Sequence, residues 1–180
     1  MSDTVFLEGQ TVDLRPLEED DLEFCRDELN DPRVRSSLGM CTPINMQQEE
    51  NWFENQLCDD DSSGLHLAIS LDGEPVGVIN AHYVDETNGN TTLGCWLGAD
   101  FHGQGYGSDA TRALLSYLFE ERRLEAVRAE AFAFNEKSRG LLESVGMEQV
   151  ARIPNWVFVD GEHHDTCVYV VTADQWFGRE

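Results

Sequence analysis

The sequence predicts a mixed α/β fold, with a mostly antiparallel sheet of about six to seven strands and about four helices. Three observations point there. Apolar residues alternate with a period of two in short runs, as at Leu65, Leu67, Ile69 and Leu71. Asp72-Gly73 and Asp160-Gly161 each sit between two such runs, where tight turns join antiparallel strands. Elsewhere the spacing becomes three and four, as in Ala110, Ala113, Leu114, Tyr117 and Leu118, which is the helical period.

The elements follow in order. Val12, Leu14 and Pro16 mark a strand at 10–15. Asp20 or Asp21 opens a helix carrying Leu22, Phe24, Cys25 and Leu29, which stops at Asn30-Asp31-Pro32. A second helix begins after Thr42-Pro43 and carries Met46, Trp52, Phe53 and Leu57. The polar cluster Cys58 to Gly64 reads as a loop. The hairpin around Asp72-Gly73 continues through Val76, Val78 and Asn80, and a further strand covers Thr92 to Gly98. A helix is expected over 108–120, a strand over Ala126 to Phe134, and a short helix from Ser138 to Val145 that Gly146 stops. Two strands near 148–159 and 164–172 close the chain. No linker or internal repeat interrupts this order, so one domain over 1–180 is expected, with its core at about 10–176.

Composition bounds the function. Thirty-five Asp and Glu face twelve Lys and Arg, a formal net charge of -23, and Lys137 is the only lysine. The regular apolar periodicity argues for a folded chain rather than acidic disorder. An acidic, lysine-poor surface suits a halophilic protein, because in multimolar salt the Debye length is ~3 Å or less and self-repulsion is screened. The same charge argues against a nucleic-acid partner, which needs clustered Lys and Arg. No apolar run follows a basic start, and none approaches the ~20 residues of a membrane span. A soluble, cytoplasmic protein with no membrane partner, a monomer or homodimer, is expected. The five cysteines, at 25, 41, 58, 95 and 167, form no C-x-x-C pair, so reduced thiols are expected and no metal site. The adjacent His163 and His164 read as a hairpin edge.

The run Phe101-His102-Gly103-Gln104-Gly105-Tyr106-Gly107-Ser108 carries the functional signal. Alternating glycines that open into a helix aim several N–H groups one way, and the helix dipole adds partial positive charge. A phosphate is the natural guest. A dinucleotide fingerprint would need glycine where Ser108 stands and would open the first strand of a parallel sheet. A Walker loop would need Gly-Lys-Ser/Thr, which is absent.

His102-Gly103-Gln104-Gly105-Tyr106-Gly107 resembles the Q/R-x-x-G-x-G/A acetyl-CoA signature of the GNAT acetyltransferase superfamily, with His102 at the usual Arg or Gln. Four further segments resemble the branch that holds the Rim-type ribosomal-protein N-terminal acetyltransferases. They are Leu14-Arg15-Pro16-Leu17, Leu93-Gly94-Cys95-Trp96-Leu97-Gly98, Asn135-Glu136-Lys137-Ser138, and Val159-Asp160-Gly161 with Asp165 and Tyr169. Val145-Gly146-Met147 stands for a turn of the same branch.

The resemblance implies a GNAT fold with a splayed central strand pair and an N-acetyltransferase acting on acetyl-CoA and a primary amine. Pyrophosphate would bind the N–H groups of Gln104 to Ser108. Pantetheine would lie between the strands around Trp96-Leu97 and Phe132-Phe134. Leu97 N–H would face the oxyanion, Asn135 would bond the pantetheine, and Ser138 would stand near the sulfur. Asn135 also reads as a helix N-cap with Ser138 in the first turn. Where many relatives carry a glutamate base this chain has Thr92, leaving His82, Asp85 or Glu86 as candidates, of which His82 has the most suitable intrinsic pKa. The acceptor region would involve Arg35, Trp52, Asn80, His82 and Trp156. The acceptor stays open between a protein α-amine and a small amine such as an amino acid, polyamine or antibiotic. A non-catalytic acyl-CoA-binding module is the alternative of a different class.

Overall fold

The computed structural model describes residues 4–57 and 64–178. The loop expected over 58–64 therefore lies outside the described residues, save for Gly64. A single sheet of eight strands organises the chain. The strands are β1 (Leu7–Glu8), β2 (Asp13–Pro16), β3 (Leu65–Leu71), β4 (Glu74–Asp85), β5 (Asn90–Leu97), β6 (Ala126–Phe132), β7 (Glu148–Val159) and β8 (Glu162–Thr172). Their order is β1-β2-β3-β4-β5-β6-β8-β7. Every neighbouring pair is antiparallel except β5 and β6, which run parallel. A parallel pair needs a crossover, and α4 (Tyr106–Glu120) supplies it.

The other helices are α1 (Leu22–Asn30), α2 (Pro32–Arg35), α3 (Met46–Trp52), α5 (Glu136–Ser144) and α6 (Ala173–Phe177). The two faces of the sheet are covered by different helices. On one, Leu114, Leu115 and Leu118 of α4 and Leu142 of α5 pack on Leu67, Ile79, Leu93, Val127 and Tyr169. On the other, Cys25 of α1 packs on Ala68 and Val78, joined by Phe24, Trp52 and Trp96. Both faces of β3 to β5 are thus buried, which is why His66 and Asn80 on the second face do not simply meet water.

The structure adds elements and trims others. The count is eight strands and six helices among the described residues, against six or seven and about four expected. The strand expected to reach Phe134 ends at Phe132, because Asn135 caps the next helix. The helix expected over 108–120 begins two residues earlier, directly after Gly105. Asp31-Pro32 ends α1 as expected but also starts α2, with the Asp31 carboxylate accepting from Arg33 N–H.

A buried ion pair sets the entry to α1. Arg15 and Asp21 are each 4% exposed and meet through two 2.7 Å bonds. Asp21 also accepts from Glu18 N–H at 2.9 Å, so its carboxylate is well satisfied. The described cysteines are free: Cys25 and Cys167 are buried, Cys95 is half-buried and Cys41 is exposed. Burial pushes the Cys25 and Cys95 thiols up to about 12, which keeps them protonated and unreactive. His163 packs on Phe158 and His164 on Phe134, as strand neighbours with opposite directions should. No metal-binding cluster occurs among the described residues. No helix among them is long and apolar enough to cross a membrane.

Candidate active site

The parallel ladder is the key to the site. β5 and β6 pair only from Asn90↔Ala126 to Leu93↔Ala129. Beyond that, β5 stays with β4 as far as Gly77↔Leu97, while β6 stays with β8 as far as Phe132↔Thr166. The two strands therefore part, leaving a slot from Gly94 onward. Main-chain direction in the slot follows from the pleat. Gly98 N–H donates to Val76 O at 2.9 Å, so the Gly98 and Trp96 peptide groups face β4. Those of Leu97 and Cys95, one residue out of phase, face the slot.

A 3-10 turn, Ala99–Phe101, leads from β5 into the glycine run. The early helices hold it there. Glu28 of α1 accepts from Ala99 N–H at 2.9 Å, and Arg33 of α2 meets Asp100 at 2.9 Å. His102 Nε2 donates to Leu97 O at 3.0 Å, which fixes the corner between strand and loop. Gly103 and Gly105 have φ of 75° and 85°, so the turn itself demands glycine there. Nothing lies within 4 Å of where a Cβ would stand on either, so the outer side of the loop is open. Gln104 and Tyr106 brace the turn through side chains, Gln104 Nε2 to Asp100 O and Tyr106 OH to Gln104 Oε1, each at 3.2 Å. Ser108 Oγ meets Ser144 Oγ of α5 at 3.1 Å.

The first intrahelical bond of α4 is Asp109 N–H to Gly105 O, at 3.0 Å. No protein acceptor is found among the described residues for the N–H groups of Gly103, Gln104, Gly105, Tyr106, Gly107 and Ser108. That cluster, at the positive end of a fifteen-residue helix and at the mouth of the slot, fits a pyrophosphate with a thin tail running inward.

The other expected site residues fall around the slot. Asn135 caps α5, its Oδ1 accepting from Ser138 N–H at 3.1 Å. Its cap role is thus real, and Ser138 stands half-buried in the first turn of α5, which follows β6. The Trp96 ring stacks on Phe24, 6.1 Å away, in the second core, while its peptide belongs to the β4 ladder. Phe134 lies past the end of β6, in the turn that leads to α5. His82 is directly across the ladder from Thr92, the position where many relatives carry glutamate. Burial lowers its pKa, so the imidazole is neutral near pH 7. The other two base candidates are spoken for. Asp85 accepts from Thr87 N–H, Asn88 N–H and Asn88 Nδ2, and Glu86 pairs with Arg122 at 2.7 Å.

Of the acceptor candidates, Trp52, Asn80 and His82 share the α1–α3 face of the sheet. Trp156 stands apart on the edge strand β7, 63% exposed. Two groups the sequence did not single out join that face. His66 lies 5.1 Å from His82 and 5.5 Å from Trp52, ring centre to ring centre. Glu49 of α3 is buried.

A slot between splayed parallel strands, closed by a main-chain anion site, defines a class: transferases that draw an acyl group from an acyl-CoA. The sequence profile of the Acetyltransferase (GNAT) domain family matches residues 11–148. The chain belongs to this family. It is an N-acetyltransferase, with acetyl-CoA as co-substrate. YdaF of Bacillus subtilis (strain 168), provisionally named a ribosomal N-acetyltransferase, is 32% identical over 120 residues, 67% of this chain and 66% of YdaF. A solved structure described as a probable acetyltransferase superposes with a TM-score of 0.78 at 27% identity, over 93% of this chain and 96% of that one. The spermidine N-acetyltransferase of Vibrio cholerae, solved with CoA and spermine, has the same fold, with a TM-score of 0.85 at 15% identity over 93% of this chain and 98% of that one.

Proposed function

We propose that this chain, acting as one domain, transfers the acetyl group of acetyl-CoA to the α-amine of a protein N-terminus. The observation that carries the reading is the β5–β6 ladder, which ends at Leu93 beneath six N–H groups without protein acceptors. Gly103 to Ser108 hold the pyrophosphate. Cys95 and Leu97 offer main-chain groups to the pantetheine, and Leu97 N–H also faces the carbonyl oxygen that gains charge during attack. Ser138, in the first turn of α5, hydrogen-bonds the departing sulfur, and Asn135 keeps that helix turn in place.

Proton transfer falls to His82. The amine sheds a proton before attack, the thiolate gains one, and the reaction releases one to solvent overall. A neutral imidazole opposite Thr92 can take the first. An α-amine, with a pKa of about 7.7–8.0, asks less of that base than a lysine at about 10.4, which favours an N-terminus as acceptor. The similarity to YdaF supports the same acceptor class.

Thiol release tests this, with short peptides bearing free N-termini, an α-blocked peptide with an internal lysine, and spermidine. It is measured at low salt and in multimolar KCl, since the acidic surface favours the latter. The free N-terminus should be the best acceptor. Ser138→Ala and His82→Gln should each lower kcat roughly a hundredfold, the lower end of acid–base contributions, while Thr92→Ala stays near wild type. Preference for spermidine would move the reading to a small amine. Acetyl-CoA binding without thiol release from any acceptor would make the chain a non-catalytic binding module.

A further inference from the structure

We infer that Glu49, His66 and Asn80 form the receptor for the acceptor's ammonium group, a set of hydrogen-bond acceptors on the α1–α3 face of the sheet, beside the slot. The inference rests on the acetyl-transfer reading and adds to it the groups that hold the amine.

Glu49 is the most unusual of the three. The residue is 4% exposed, and its carboxylate, which still touches solvent, has no hydrogen bond or ion pair among the described residues. It precedes Trp52 by three positions on α3, so the two share a helix face. That face lies on the sheet, because the Trp52 ring meets the His66 ring edge-on at 5.5 Å. Glu49 is also near enough to Cys25, which packs on Ala68 and Val78, to raise the pKa of that thiol. Burial raises the pKa of Glu49 itself, as expected for a carboxyl group lacking a counter-ion.

The other two groups lie in the sheet beneath. His66 and Asn80 are direct partners across β3 and β4. Asn80 Oδ1 and His66 Nδ1 are both buried without a hydrogen-bond partner. Asn80 in turn faces Gly94, where a Cβ would come within 2.5 Å of its Oδ1. Gly94 is the first residue of β5 past the end of the parallel ladder. The unpaired groups thus extend from beneath α3 to the edge of the slot.

Their chemistry selects the guest. A carboxylate and an amide oxygen only accept. Burial, and then the neighbouring His82, hold His66 down at about 4, so its ring is neutral and keeps an acceptor nitrogen. Acceptors left without donors are costly when buried, and a guest that satisfies all of them must bring several donors. An ammonium has three donors, no acceptor and the charge that Glu49 lacks. The Trp52 ring beside His66 offers a surface that tolerates a cation. A neutral or anionic guest would leave the set unpaired or add to its negative charge.

Calorimetry on the CoA-loaded protein, with a free-N-terminus hexapeptide and with spermidine as probes, reads amine binding without turnover. Glu49→Gln keeps the shape and removes the charge. It should weaken binding of whichever probe binds about tenfold, the scale of one lost charge-assisted bond. Asn80→Leu should do the same, and both should leave CoA affinity within twofold, which also shows that the fold is intact. In turnover the loss should fall on the amine KM, with kcat nearly unchanged. Amine binding indifferent to both substitutions, or no binding of either probe by the wild-type CoA complex, would overturn the inference. Probe binding that depends on Glu49 while no thiol is released would uphold the amine receptor and defeat the catalytic reading instead.

Discussion

Replacing Asp109 by alanine should lower the melting temperature by on the order of 6–12 °C, the equivalent of roughly 3 kcal/mol in a chain of this size. Asp109 lies in the first turn of α4 and is 9% exposed. Its Oδ2 accepts from Thr11 N–H at 2.7 Å and Val12 N–H at 3.0 Å, and its Oδ1 from Gln10 N–H at 2.9 Å. One carboxylate therefore satisfies three consecutive peptide groups of the β1–β2 turn and ties them to the helix that presents the anion site. Alanine leaves those donors with no partner. Asparagine should fall between, since one of its two oxygens becomes a donor facing donors. The pH dependence carries a second signature. Burial pushes the Asp109 pKa up, but the N–H groups of Gln10, Val12 and Thr11 outweigh it and leave the pKa below the ordinary value. A carboxylate whose pKa is depressed on folding adds stability above its unfolded pKa of about 3.9, and that stability is lost as the pH falls through the folded value. Thermal melts between pH 7 and pH 3 should therefore converge for wild type and Asp109→Ala toward the acid end. Parallel curves, or a loss under about 2 °C at pH 7, would rule this role out.

The parts of the fold that could be read from the sequence are those governed by local periodicity. The hairpin through Asp72-Gly73, the helix after the glycine run and the last two strands fall nearly where alternation and turn residues put them. What was missed depends on tertiary partners or on short cap signals. β1 has two residues, too few to show a period, and is held by Phe6 N–H to Leu14 O and Gly9 N–H to Val12 O. α6 does carry a readable signal, Thr172 capping Gln175 N–H with Gln175 returning to Thr172 N–H, but only five residues follow the cap. The glycine run was legible because positive φ and a following helix are written locally, and the Asn135 cap because an Asn three residues before Ser138 is a local signal. His66 and Glu49 could not. On β3, His66 alternates with Leu65 and Leu67 like a solvent-facing residue, and only the arrival of α1 and α3 buries that face. On α3, Glu49 sits in the polar run Gln47-Gln48-Glu49-Glu50-Asn51, where the sequence does not mark it out from Glu50, which faces outward.

Gly77→Ala should lower kcat by about 10²–10³ while the protein remains folded, if Leu97 N–H receives the developing negative charge. Gly77 is opposite Leu97 in the β4–β5 ladder. A methyl group there would stand 2.9 Å from Leu97 Cα and closer still to the Trp96 carbonyl oxygen. Both are main-chain atoms and cannot rotate away, unlike the leucine tip that crowds Gly107. The next pair is pinned by Gly98 N–H to Val76 O, so the strain cannot relax toward the loop. β5 must move into the slot or tilt, and either displaces the Leu97 peptide from the carbonyl it faces. A shift of about 1 Å at such a donor is enough for a hundredfold loss. Overpacking should also cost about 1–3 kcal/mol of stability. Gly140→Ala is the matched control. It lies on the exposed side of α5 with nothing within 4 Å of the added carbon, and should be neutral or stabilising by about 0.5–1 kcal/mol, with kcat unchanged. Steady-state kinetics with saturating acetyl-CoA and amine separates the outcomes. A low kcat in Gly77→Ala with acetyl-CoA still bound places the damage at the oxyanion donor. A wild-type kcat would remove Leu97 from that role and leave the slot as a binding feature only.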